Sequence, residues 1–205
     1  MINYELIFRG WLYQLPTDSI QKYDENYVSR YNLFDDTLQR MRYDHCSSYF
    51  DFDSVLDIGY GNGDFLKVCK DHDKECYGND ISGYALPEGI HFTEDRNIEV
   101  DLVTFFDCLE HFPDRNLEDI LSSLKCKYLC ITVPWCHDTD NIDNFLNWRH
   151  RKPNEHFHHF DAKGLSTLLN MSGFDIVNVS SFEDAIRSNK GQLPNILTIL
   201  AKKRH

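Results

Sequence analysis

The most restrictive stretch of the chain lies at residues 54–69. Ser54-Val-Leu-Asp-Ile58 is a short apolar run, Gly59-Tyr-Gly-Asn-Gly63 is a glycine cluster, and Phe65-Leu66-Lys67-Val68-Cys69 places apolar residues at helical period. A short apolar run ending in such a cluster reads as a strand, and glycines let the backbone reverse at once because positive φ costs them little. Strand, tight turn and helix in that order form the opening of a βαβ unit. Such a unit needs parallel neighbours and helices over both faces of the sheet.

The rest of the chain supplies those parts. Glu75-Cys-Tyr-Gly-Asn79 is a second strand and Ile90-His-Phe-Thr93 a third; Gly83, Pro87 and Gly89 between them leave little room for a helix. Val100-Asp-Leu-Val-Thr-Phe-Phe106 is a fourth strand, and Asn116 can cap a helix whose Leu117, Ile120, Leu121 and Leu124 form one stripe. Tyr128-Leu-Cys-Ile-Thr-Val133 is nearly continuous in apolar character and is stopped by Pro134, which places it in the sheet centre. Asp161 caps a helix carrying Leu165, Leu168 and Leu169, and Gly173 ends it. Strands at 174–179 and 195–200 follow with no helix pattern between them, so they pair antiparallel. Residues 3–50, with Leu33, Phe34, Leu38 and Met41 at helical spacing, read as a helical N-terminal cap. The expectation is an α/β fold: a doubly wound, Rossmann-like, seven-stranded sheet, mostly parallel with an antiparallel last strand. Residues 1–50 form the cap or lid and 51–205 the main domain, one structural domain together.

Charge and cysteines narrow the function classes. A formal net charge of -12, with Lys202-Lys203-Arg204 the only basic run, argues against nucleic acid as a partner. Seven cysteines (Cys46, Cys69, Cys76, Cys108, Cys126, Cys130 and Cys136) contain no Cys-x-x-Cys pair and suit free thiols in a reducing cytoplasm. The first fifteen residues lack a signal-peptide pattern, and no stretch approaches the roughly 18 apolar residues that span a bilayer. The expected setting is cytoplasmic, without membrane association. No pattern sets an oligomeric state.

In an open α/β sheet, ligands meet the turns beyond the strand C-termini, which here hold residues 57–63, Asp80, 94–95 and 107–111. Dinucleotide sites favour Gly-x-Gly-x-x-Gly and a phosphate-binding helix start, whereas this chain has Gly-x-Gly-x-Gly preceded by Asp57. An acidic residue beside the turn suits S-adenosylmethionine, which carries a sulfonium and an ammonium and no phosphate. Asp80, at the end of the second strand, can accept hydrogen bonds from ribose hydroxyls.

Val55-Leu-Asp-Ile-Gly-Tyr-Gly-Asn-Gly-Asp-Phe65, Gly78-Asn-Asp-Ile-Ser82 and Asp101-Leu-Val-Thr-Phe-Phe-Asp-Cys-Leu-Glu-His-Phe-Pro-Asp114 resemble successive motifs of class I S-adenosylmethionine-dependent methyltransferases. The nearest resemblance is to the small-molecule branch that includes ubiquinone-biosynthesis-type enzymes. It implies strand order 3-2-1-4-5-7-6 with strand 7 antiparallel. It also implies that Asp57, Gly59, Gly61 and Gly63 cradle the methionine end, that Asp80 holds the ribose and that Ile81 packs on adenine. Glu94 or Asp95 would face the adenine amine, and Asp107 would lie near the methionyl part. The chain departs from the family between Asp80 and Ile90, where a fuller helix is usual.

Methyl transfer to a small-molecule acceptor is an in-line displacement, so positioning is the protein's main task. A base helps when the acceptor is a hydroxyl or acidic carbon, and the candidates are His111 and His156; a structural role competes for both. Glu110 can simply favour a helix start, and Cys136 reads as a buried thiol. His150, His156, His158 and His159 crowd one stretch with Glu155 and Asp161, but their spacing there does not match a helical metal motif, so no metal is expected. Tyr23, Tyr27 and Tyr31 recur at fourfold spacing and suit a lid or core face, and Trp135, Trp148, Arg149 and Arg151 occupy an insert suited to acceptor specificity. Two other functions fit less well: a noncatalytic cofactor-binding module serving a partner protein, and a nicotinamide-dependent oxidoreductase, which the glycine spacing disfavours.

Overall fold

The computed structural model describes residues 2–17, 36–187 and 193–204. Strands β1 (Tyr4–Phe8) and β2 (Trp11–Gln14) form a hairpin through Arg9 and Gly10, and helix α1 (Asp36–Tyr49) buries Leu38, Arg42, Tyr43 and Cys46. Next come β3 (Ser54–Ile58), α2 (Asp64–Asp71), β4 (Glu75–Asn79), β5 (His91–Phe92) and β6 (Val100–Phe106). A 3-10 turn (Leu109–His111) and α3 (Leu117–Ser123) lead to β7 (Cys126–Pro134) and α4 (Ile142–Leu146). The chain closes through β8 (His158–Phe160), α5 (Ala162–Met171), β9 (Phe174–Ser180), α6 (Asp184–Arg187) and β10 (Ile196–Lys203).

Seven strands make one sheet in the order β5-β4-β3-β6-β7-β10-β9. β3 is parallel to β4 and β6, β4 is parallel to β5, and β10 is antiparallel to both β7 and β9. This is the expected order with its antiparallel end. The strand expected to be covered on both faces is so: Leu129, Cys130, Ile131 and Thr132 have no exposed surface, because helices need apolar side chains on both sheet faces.

Contacts divide the described residues into two compact units, one of residues 36–106 and 123–130, the other of residues 2–17, 107–122, 131–187 and 193–204. In the first, Asp57 pairs with Gly78 on one side and Thr104 on the other, so β3, β4 and β6 end level. No helix forms over 81–90, as the glycine and proline content required. In the second, β1, β2 and β8 make a three-stranded antiparallel sheet. Asp161 caps α5 by accepting from Gly164 N at 2.7 Å, and its own N–H donates to Gly10 O at 2.9 Å. Gly10, at φ +94°, lies so close to the start of α5 that a Cβ would strike Asp161 Oδ1, and a Cβ on Gly164 would strike the Gly10 carbonyl.

Two elements differ from the sequence reading. Residues 4–14 are strands and not part of a helical cap, because their apolar residues fit either period and β8, a distant segment, completes the sheet. A single helical turn, α6, intervenes between β9 and β10. Leu33, Phe34, Tyr23, Tyr27 and Tyr31 lie outside the described residues. Among the described residues no helix is long and apolar enough to cross a membrane.

Candidate functional site

The glycine turn after β3 is built as its sequence demands. Gly59, Gly61 and Gly63 adopt φ of +82°, +58° and +78°, a region that a side chain makes costly, so the alternation of glycines is a backbone requirement. Gly59 N donates to Asn79 O at 2.7 Å and Gly63 N to Tyr60 O at 2.9 Å, which fixes the turn against the end of β4. Asp80 then joins the two turns: its Oδ2 accepts from Gly61 N at 2.9 Å, and its Oδ1 accepts from Ser82 N at 2.7 Å and Ser82 Oγ at 2.5 Å.

Asp57 sits behind this turn at 3% exposure. Thr104 Oγ1 donates to its Oδ1 at 2.7 Å. Burial pushes the carboxyl up to about 7; the Thr104 hydrogen bond and the Arg42 guanidinium oppose that rise, and Asp80 adds to it. A cation brought close would restore the ionised form. Ile81 is 82% exposed, an apolar side chain in water at the strand-end face. One strand over, Thr93 N donates to Gly78 O, placing exposed Glu94 and Asp95 at the same sheet end; Asp95 Oδ1 accepts from Asn97 N at 2.8 Å.

The other unit begins at Asp107, directly after β6. It has φ of +51°, unusual for a residue with a side chain, and Arg187 grips it with two hydrogen bonds, Nη1 to Oδ2 at 2.8 Å and Nη2 to Oδ1 at 3.0 Å. Arg187 Nη1 also donates to the buried Glu183 at 2.6 Å. The two carboxylates hold the guanidinium firmly charged, against its burial.

Glu110 and His111 lie on the 3-10 turn, and the Glu110 carbonyl accepts from Phe157 N at 2.7 Å, which brings His156 beside them. The rings of His111 and His156 meet edge to face at 4.6 Å. Burial pushes the His111 imidazole down to about 4, with Glu155 opposing, and holds His156 well below its usual range, with His111 adding to the shift. Both rings are therefore neutral at neutral pH. Burial, reinforced by Asp107, holds Glu110 well above the usual carboxylate range.

The profile of a family described as a methyltransferase domain matches residues 23–179. The chain belongs to the methyltransferase-domain family. No curated protein sequence matches this methyltransferase. Solved structures share its fold. One is 1,6-didemethyltoxoflavin-N1-methyltransferase from Burkholderia thailandensis, with bound 1,6-didemethyltoxoflavin and S-adenosylhomocysteine; it has TM-score 0.62 and 16% identity, covering 98% of this chain and 99% of that one. A SAM-dependent methyltransferase from Archaeoglobus fulgidus has TM-score 0.61 and 21% identity over 88% and 100% of the two chains. Magnesium protoporphyrin IX methyltransferase from Synechocystis has TM-score 0.58 and 13% identity over 91% and 90%.

In this methyltransferase, Asp57, Gly59, Gly61, Gly63, Asp80, Ile81, Glu94 and Asp95 gather at one sheet end, and Asp107, His111 and His156 all fall in the other unit. The histidine-rich stretch divides. His158 accepts from Trp11 Nε1 at 3.0 Å through Nδ1 and donates to Asp114 O, so its tautomer is fixed in a structural role. His159 packs on Phe145 and Trp148, and Arg151 Nε donates to Tyr4 Oη at 2.9 Å, so this part of the insert holds the hairpin. Cys136 is fully buried, and burial pushes its thiol up to about 12. Arg187 and Glu183 went unread in sequence: they lie 76 to 80 residues beyond Asp107 on one short turn, with no local pattern to mark them.

Proposed function

We propose that this methyltransferase transfers the methyl group of S-adenosylmethionine to a small-molecule acceptor. The observation that carries the reading is Asp80 spanning the Gly61 and Ser82 backbones beside a side-chain-free turn, with Asp57 buried behind it. The donor set fits that cofactor: three glycines admit close approach, and the acidic pair favours cations and would repel a pyrophosphate. The solved relatives named above, one with S-adenosylhomocysteine and a small heterocycle bound, support both cofactor and acceptor class.

When bound, the cofactor supplies a methyl group already activated on a sulfonium. The chain's own residues orient it. Asp80 takes the ribose hydroxyls, Ile81 covers the adenine and Glu94 or Asp95 accepts from its amine. Asp57 and the glycine turn receive the methionine end; in the other unit, Arg187 holds Asp107 in place. His111 and His156, both neutral, are the candidate bases for an acceptor that must lose a proton.

Calorimetric titration with S-adenosylhomocysteine tests the reading. Wild type should bind one equivalent, and Gly61→Val, whose β-branched side chain meets φ +58° and the ligand face together, should lose measurable binding while remaining folded. A folded Gly61→Val protein with wild-type affinity overturns the placement. Absence of methyl transfer from labelled cofactor into a metabolite pool, despite binding, would favour a noncatalytic module.

A further inference from the structure

Within residues 150–161 alone, the spacing of the histidines matches no helical metal motif. The fold makes a different grouping. Glu110, His111 and His156 each offer one ligand atom, and these atoms all lie within 4.8 Å of one another. The Phe157 N–H bond to the Glu110 carbonyl holds the two backbone segments in place, so the grouping is part of the scaffold and not a chance meeting of surface side chains.

Three observations point to a ligand. Glu110 is 2% exposed, and its Oε2 is buried with no hydrogen-bond partner among the described residues. A buried carboxyl oxygen left unmatched is costly unless something not present in the protein fills the position. His156 meets the His150 carbonyl through Nδ1 at 2.9 Å. A carbonyl only accepts, so Nδ1 carries the proton and the Nε2 lone pair is left for a ligand, which is how metal-binding histidines are usually oriented. Finally, Glu155 Oε1 lies 3.9 Å from His156 Nε2 and is itself steadied by Lys152 Nζ at 2.9 Å, so a second carboxylate borders the cluster.

We infer that Glu110, His111 and His156 form a binding site for a divalent first-row transition-metal ion, with Glu155 as a bordering carboxylate. Two imidazoles and a carboxylate select zinc, cobalt, iron or manganese over magnesium and calcium, which prefer all-oxygen shells. Ligand atoms around a tetrahedral ion stand about 3.4 Å apart, so the cluster closes by small side-chain rotations. Three protein ligands leave a coordination position open to water or to an oxygen of a small molecule. The site is independent of whether the glycine turn binds S-adenosylmethionine.

Cobalt(II) titration of tag-free, chelator-treated full-length protein, followed by visible absorption and by calorimetry, tests the inference. Wild type should take up one equivalent with ligand-field bands, and zinc(II) should compete it away and raise the melting temperature. Glu110→Gln and His156→Gln should weaken cobalt binding at least on the order of 100-fold, with folding confirmed by circular dichroism. His91→Gln, at the exposed β5, should bind as wild type. No stoichiometric uptake by wild type, equal uptake by both folded variants, or magnesium binding as tightly as zinc would each overturn the assignment. Wild-type uptake decides the question even if a variant fails to fold, and S-adenosylhomocysteine binding in the same sample reports separately on the glycine turn.

Discussion

Asp57 lies near the end of β3 and Asp107 directly follows the neighbouring β6, yet the chain treats them in opposite ways. Asp57 is buried with a hydroxyl donor and is pushed up to about 7, so burial holds back its negative charge. Asp107 is half-exposed and gripped by a guanidinium that also pairs with Glu183, so its charge is already answered within the protein. The first is a carboxyl that burial keeps from ionising, and the second is a carboxylate fixed in position. An acidic residue at a strand end thus says little alone; its partners decide whether it receives or is held.

The largest expected effect attacks the held carboxylate. Arg187→Met removes a partly buried cation and leaves the fully buried Glu183 carboxylate without it, which should cost about 3–5 kcal/mol by urea denaturation. A loss under about 1 kcal/mol would show that Asp107 needs no such clamp.

Asp57 gives the next effect. Its folded value of about 7 lies above the usual 3.8, so the folded form binds the extra proton between those limits. Stability from this group is greatest below pH 4 and is lost as pH rises toward 7, by up to about 1.4 kcal/mol per pH unit. Asp57→Asn should flatten that slope in stability measured across the window. Affinity for the cationic cofactor should run the other way in wild type, strengthening as pH rises to 7, and a pH-independent affinity would place the cation elsewhere.

Asp80→Ala should weaken S-adenosylhomocysteine binding by about 1.5–3 kcal/mol in calorimetry. Unchanged affinity would mean that Asp80 serves only to join Gly61 to Ser82. The smallest effect is Trp11→Phe, which keeps the ring packing but takes the donor from His158 Nδ1 and should cost about 1 kcal/mol of thermal or urea stability.

The same contrast explains what was legible in the sequence. Residues 54–58, 75–79 and 100–106 are strands to the residue, because buried parallel strands are short apolar runs that glycines or charged residues terminate. Asp57, the glycines and Asp80 lie within 24 consecutive residues, so local turn chemistry exposes them. Arg187 with Asp107, and His156 with Glu110, are joined only by tertiary packing, and nothing near either residue in the chain announces its partner. The hairpin at 4–14 escaped for the same reason, since the strand that completes its sheet is β8.

That hairpin carries a cost in time. All four residues of β2 are buried, and Leu12 and Tyr13 pair with His159 and His158, so their shelter does not exist until the ribosome has added roughly 145 further residues. At typical synthesis rates of about 5–20 residues per second, that is roughly 7–30 s during which an apolar ribbon waits with an open edge. Its last seat is the contact between Gly10 and Gly164, which tolerates no side chain on either partner. The hairpin strands are thus made long before they find cover, and the nascent chain is most open to misassociation before β8 and α5 emerge.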